Sequence, residues 1–160
     1  EPMVLLLAVG FFLATGSFNV STVLHLDYPI IGSAIGVFLG LLFILTIKLR
    51  KSPFDLSYSH HAHQDLVKGV TTEMSGKVLG QVEIMHWCEN ILFLAWVAMF
   101  FIWDNPLCIP VVIVALILIY LLEIWIDNNF ARVKWQLLLK SAWVVTLIFA
   151  GINIGLLIYL

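Results

Sequence analysis

Glu83, His86 and Glu89 recur at steps of three within one of the apolar stretches of the chain. At 100° per residue, that spacing sets the three side chains on an arc of about 120° on one helix face. A carboxylate deep in a membrane helix costs roughly 2.5–3.5 kcal/mol on insertion scales, so it persists chiefly where it meets a partner, water or protons. Desolvation favours the neutral form of a carboxylic acid and imidazole titrates near neutrality, so a Glu/His/Glu face can pass protons. The competing reading is polar glue between helices, with Glu83 and Glu89 near the inner interface. Glu123 poses the same question in a later apolar stretch. Four residues before Asp127, it could instead mark a helix end among the headgroups.

A second group lies in the polar stretch Lys51 to Gly76, where His60, His61 and His63 form an HHxH cluster followed by Gln64 and Asp65. Neutral imidazoles bind zinc or nickel, but this spacing matches no standard zinc site and only Asp65 is at hand to complete one. No metal is expected here. Proton relay or partner docking at the interface is the expected role of His60, His61, His63 and Gln64, with a plainly solvated loop as the alternative. Cys88 and Cys108 form no CxxC pair, and a cubane cluster takes four thiolates, so the chain holds no iron-sulfur cluster by itself. Nucleophile elbow, P-loop and dinucleotide fingerprint are all missing. Any catalytic step belongs to other subunits, and no residue of this chain is expected to be catalytic.

The elements that must position these groups are membrane helices. The 160 residues are 62% hydrophobic and 11% charged, with a mean hydropathy of +1.05, far from a soluble domain. A span takes about 20 apolar residues, and stretches of that kind occur at 2–16, 29–47, 79–103, 107–126 and 139–160. The expected fold is therefore an all-α polytopic bundle of five transmembrane helices, one membrane domain over 1–160. Two polar connections interrupt it, at 48–78 and 127–139. Glu1-Pro2-Met3 has no basic n-region or cleavage site and does not read as a signal peptide. With no initiator methionine at position 1, the chain is expected to be processed or incomplete there.

All eight basic residues fall in two places: Lys48, Arg50, Lys51, Lys68 and Lys77, then Arg132, Lys134 and Lys140. The connections near 17–28 and 104–106 have none. The positive-inside rule puts both basic connections on the cytoplasmic side of the cell membrane, with the N-terminus inside and the C-terminus outside. Gly32, Gly36 and Gly40, and later Gly151 and Gly155, make small-residue stripes for close helix packing. Trp103, Trp125 and Trp135 sit at the ends of spans, as interfacial indoles do.

Pro53-Phe54-Asp55, Gln64-Asp65-Leu66, Gly69 and Glu73-Met74-Ser75-Gly76 resemble the signature loop of the complex I subunit 1 (H subunit) family, whose form is near PFD…QEL…G…EYSG. The resemblance extends to the flanking helices, including Gly16-Ser17-Phe18-Asn19. It implies a subunit that anchors a peripheral redox arm and provides an ion half-channel beside it. Asp55, Asp65 and Glu73 then match loop acids that link redox events to proton movement, and the five spans resemble the last five of eight. The resemblance carries Glu1 over weakly, as the end of a motif before the first span. His86-Trp87 stands where quinone-using relatives tend to show Glu-Tyr.

Between PFD and QDL, however, those relatives carry a short acidic run, whereas this chain has LSYSHHAH. That version, with VKGVTTEMSG and VEIMHWCEN, is similar to the membrane subunit of ferredoxin-dependent energy-converting nickel-iron hydrogenases of the Ech and Mbh type. This resemblance implies hydrogenase large and small subunits, a ferredoxin-type cluster subunit and antiporter-like membrane subunits as partners, besides membrane lipid and without nucleic acid. It places the nickel-iron centre and iron-sulfur clusters in those partners and no cofactor in this chain. The implied function couples hydrogen evolution to proton or sodium translocation, through Asp55, Asp65, Glu73, Glu83, His86, Glu89 and Glu123. The alternatives are subunit 1 of a quinone-reducing complex, and a purely structural membrane anchor.

Overall fold

In the computed structural model residues 2–49, 74–131, 133 and 135–159 are described, and every regular element among them is helical. Asp55, His60, His61, His63, Gln64, Asp65 and Glu73, with most of the 48–78 connection, lie outside the described residues.

Helix α1, Pro2–Thr15, stops at Gly16, whose φ of 72° suits glycine and lets its N–H donate to the Phe12 carbonyl at 2.7 Å. A single turn and a half follows as α2, Val20–Leu24, opened by Asn19, whose Oδ1 accepts from the Ser21 N–H. The stretch 29–47 then divides. A 3-10 turn, Ile30–Gly32, precedes α3, Ile35–Lys48. Beyond the 50–73 segment come α4, Gly76–Met99, and α5, Cys108–Asn129. The final stretch comprises α6, Trp135–Val145, a π-turn, Thr146–Gly151, and α7, Ile152–Tyr159. Helical structure thus reaches into the 127–139 connection from both sides.

Among the described residues three stretches are long and apolar enough to cross a membrane, Gly76–Met99, Cys108–Asn129 and Gln136–Tyr159. The other two expected spans are apolar but short. With 14 residues each, α1 and α3 rise about 21 Å, against a hydrocarbon core of about 30 Å.

The core gathers where α1, α3, the π-turn and α7 pack together, around Met3, Leu7, Val37, Leu41, Leu45 and Ala150. Phe38 bridges it to the end of α4 by meeting Phe100, the residue just after that helix, edge-on. By contrast α5 lies outermost, packed mainly on α4, and buries only Ile119 and Glu123. At one end the Ile31 N–H donates to the Phe100 carbonyl and the Asp104 N–H to the Leu26 carbonyl. The two connections without basic residues therefore meet.

Only part of the glycine pattern is used for packing. A Cβ on Gly36 would sit 2.5 Å from the Phe149 carbonyl oxygen and 2.7 Å from Asn153 Cβ, whereas one on Gly32, Gly151 or Gly155 would meet nothing within 4 Å. The same contact region is tied by Asn153 Nδ2, which donates to the Ser33 carbonyl at 3.2 Å. A Cβ on Gly40 would press only on the end of Met3. Gly36→Ala is therefore expected to destabilise the bundle by about 1–3 kcal/mol, because backbone must yield. Gly40→Ala should cost far less, since an unbranched thioether can shift. Thermal unfolding in detergent checks this, and equal melting temperatures would contradict it.

A candidate polar node at the end of helix α3

The last turn of α3 is apolar apart from Thr46 and Lys48. Two residues apart, they project about 200° from one another around the helix, and each engages a different neighbour. Lys48 Nζ lies 2.6 Å from Glu89 Oε1 on α4, with both side chains about 30% exposed (31% and 29%). The same ammonium stands 5.7 Å from the centre of the Phe93 ring, a cation–π distance. Thr46 Oγ1 lies 3.1 Å from Glu123 Oε1 on α5 and 3.1 Å from the Leu42 carbonyl oxygen one turn back. Thr46 is 4% exposed and Glu123 fully buried.

The arrangement follows from length. α3 ends opposite the middle of α4, since Glu89 is its fourteenth residue of 24. The thirteen residues 76–88 run about 20 Å beyond that point. Glu83 lies on this overhang, exposed, while His86 is half-buried. The arc of three is thus split by depth: Glu89 is taken by Lys48, and Glu83 looks outward. Asn90, half-buried, falls on the same arc between Glu83 and Glu89. Glu123 lies six residues before the end of α5, with its side chain wholly inside the protein.

Around the Lys48–Glu89 pair opens an apolar groove of about 630 Å³, walled by Val4, Leu5, Leu92, Phe93, Trp96 and Trp143. The low polarity of these walls strengthens the pair relative to one in water. Cys88 is exposed and Cys108 half-buried, their thiols unbridged. No group of three His, Cys, Asp or Glu side chains among the described residues is arranged to hold a metal ion.

Lys48 and Thr46 were not among the candidates the sequence put forward. Lys48 read as a topological charge, although a lysine closing an apolar 14-residue helix is also the residue placed to meet an intramembrane acid. Thr46 gave no signal, because a lone hydroxyl in a helix ordinarily bonds its own i−4 carbonyl.

A family model described as NADH dehydrogenase matches residues 1–158. The chain belongs to this family, that of complex I subunit 1, known as the H-type subunits. Among curated proteins of the family, the second NADH-quinone oxidoreductase H-type chain of Syntrophobacter fumaroxidans is 29% identical over 111 residues, 67% of this chain and 33% of that protein. The NADH-quinone oxidoreductase H-type chain of Dehalococcoides mccartyi strain CBDB1 is 26% identical over 148 residues, 89% of this chain and 40% of that protein. The chain therefore spans only 33–40% of the length of these relatives. No solved structure is a significant match. Family and helices together make this a membrane protein.

Proposed function

We propose that this chain is the ion-coupling part of an H-type membrane subunit in a multisubunit oxidoreductase, linking electron transfer in a peripheral arm to proton or sodium movement. The observation that carries this reading is that one turn of α3 grips two intramembrane acids at once, Glu89 through Lys48 and Glu123 through Thr46. That turn leads directly into the polar 50–73 segment with its Asp55, His60, His61, His63, Gln64, Asp65 and Glu73. A charge change in a partner docked on that segment has a short mechanical and electrostatic route to both acids. In this reading the basic connections face the cytoplasm.

The names of the curated relatives support quinone as the electron acceptor. A second reading is favoured by LSYSHHAH and VEIMHWCEN in this chain: a ferredoxin-dependent, hydrogen-evolving complex whose nickel-iron centre and clusters sit in neighbouring subunits. Isolation of the intact complex decides between them. Quinone reduction without nickel supports the first, and nickel in a co-purified subunit with hydrogen evolution supports the second. The coupling role itself is tested by Glu89→Gln and Glu83→Gln, with assembly read alongside ion transport. Glu89→Gln is expected to leave assembly intact and weaken transport about tenfold or more, and undiminished transport at full electron flux would sink the assignment. Exposed Glu83, if it belongs to the entry side of the path, should give a smaller loss.

A further inference from the structure

The Thr46 hydroxyl faces two oxygens at equal distance, Glu123 Oε1 and the Leu42 carbonyl, both at 3.1 Å. It carries one proton, so it donates to one of them at a time. When Glu123 is ionised, its oxygen can only accept, and a hydrogen bond across the 3.1 Å contact then has Thr46 as its donor. When Glu123 is protonated, the acid O–H can donate to Thr46 Oγ1, freeing the hydroxyl to turn to Leu42. In both states the Thr46 proton has an acceptor, which matters because Thr46 and Glu123 are buried and an unmade bond there is costly.

We infer that Thr46 is a two-position proton gate for Glu123, donating to the carboxylate in one state and to the Leu42 carbonyl in the other. This deepens the coupling role proposed above and rests on it. The step is an acid–base one: hydronium gives up one O–H proton to Glu123 Oε1 and leaves as water, the carboxylate becomes a neutral acid, and the Thr46 hydroxyl rotates with no other covalent bond made or broken. A threonine bonded back to its i−4 carbonyl bends a helix slightly. The bend would fall two residues before Lys48, so the charge state of Glu123 on α5 is conveyed to the Lys48–Glu89 pair between α3 and α4. Among the described residues, the charged and titratable groups on the elements packed around Glu123 are Lys48 on α3, Lys77, Glu83, His86, Cys88 and Glu89 on α4, and Cys108, Tyr120 and Asp127 on α5 itself. Thr46 is a positioning residue in this scheme.

The test is infrared difference spectroscopy on the assembled complex in membranes between high and low pH, with leucine carbonyls carrying carbon-13. Glu123→Gln identifies the Glu123 carboxyl band by its loss, and Leu42→Ile identifies the Leu42 carbonyl. The wild type should show the Leu42 band shifting to lower frequency as the Glu123 acid band appears. Thr46→Ser should keep that response, and Thr46→Val should abolish it and move the acid band to higher frequency. A Leu42 band indifferent to Glu123 protonation overturns the gate. So does a Thr46→Ser spectrum like that of Thr46→Val, or a Glu123 that never protonates. Ion transport in Glu123→Gln is read separately, so failure of the coupling role and failure of the gate fall on different measurements.

Discussion

Lys48→Met is expected to cost about 1–3 kcal/mol of stability, and the double variant Lys48→Met/Glu89→Leu to recover to within about 1 kcal/mol of the wild type. Removing one partner of a fully buried pair typically costs about 3–5 kcal/mol, because the remaining charge is left uncompensated. Here both side chains keep about 30% exposure (31% and 29%), so solvent relieves part of that penalty. An orphaned Glu89 would also escape by taking up a proton. Replacing both partners by apolar residues of similar volume removes the desolvation cost together with the attraction, which is why the double variant should regain stability. Ion transport should not return with it. Thermal unfolding and transport of the assembled complex, measured on the same preparations, check both halves. A double variant no more stable than the worse single one contradicts the pairing. A double variant that transports normally makes the pair a structural staple only.

Glu123→Gln should lower coupled ion transport about tenfold or more while changing stability by no more than about 1 kcal/mol. The amide matches the carboxyl in shape, and its oxygen can still accept from Thr46 at the position of Oε1. What it lacks is a proton to gain and lose. Glu123→Ala is a different perturbation: it removes a fully buried side chain and leaves a cavity, with an expected loss of about 2–4 kcal/mol. The contrast separates coupling from packing. If Gln and Ala impair transport only in proportion to the complex that survives, Glu123 is a structural contact. A transport defect in Glu123→Gln at full assembly is the expected result.

Much of this site was legible in the chain, and the illegible part has a common cause. Glu83, His86 and Glu89 share a face because helical periodicity is local, so three-residue spacing was enough to group them. Their separation into an exposed Glu83 and a paired Glu89 depends on where α3 ends against α4, a long-range property. The glycine stripe shows the same division: close contact is made at Gly36 and Gly40, while Gly32, Gly151 and Gly155 face open space. Five spans follow from counting apolar residues, but a 3-10 turn at Ile30–Gly32 consumes part of the second stretch and leaves α3 only 14 residues. The π-turn at Thr146–Gly151 had no sequence signature, since an extra residue in a helical turn depends on packing around it.

By itself the sequence determined that this protein is a helical membrane protein, that basic residues mark two of its connections, and that it belongs with the H-type subunits. Those conclusions rest on composition, local periodicity and short motifs, all of which survive without knowledge of contacts. Only the tertiary structure decided which acid meets which partner. Lys48 with Glu89 and Thr46 with Glu123 are pairs 41 and 77 residues apart in the chain. No local rule reaches across such separations; the relative depth and rotation of α3, α4 and α5 set them.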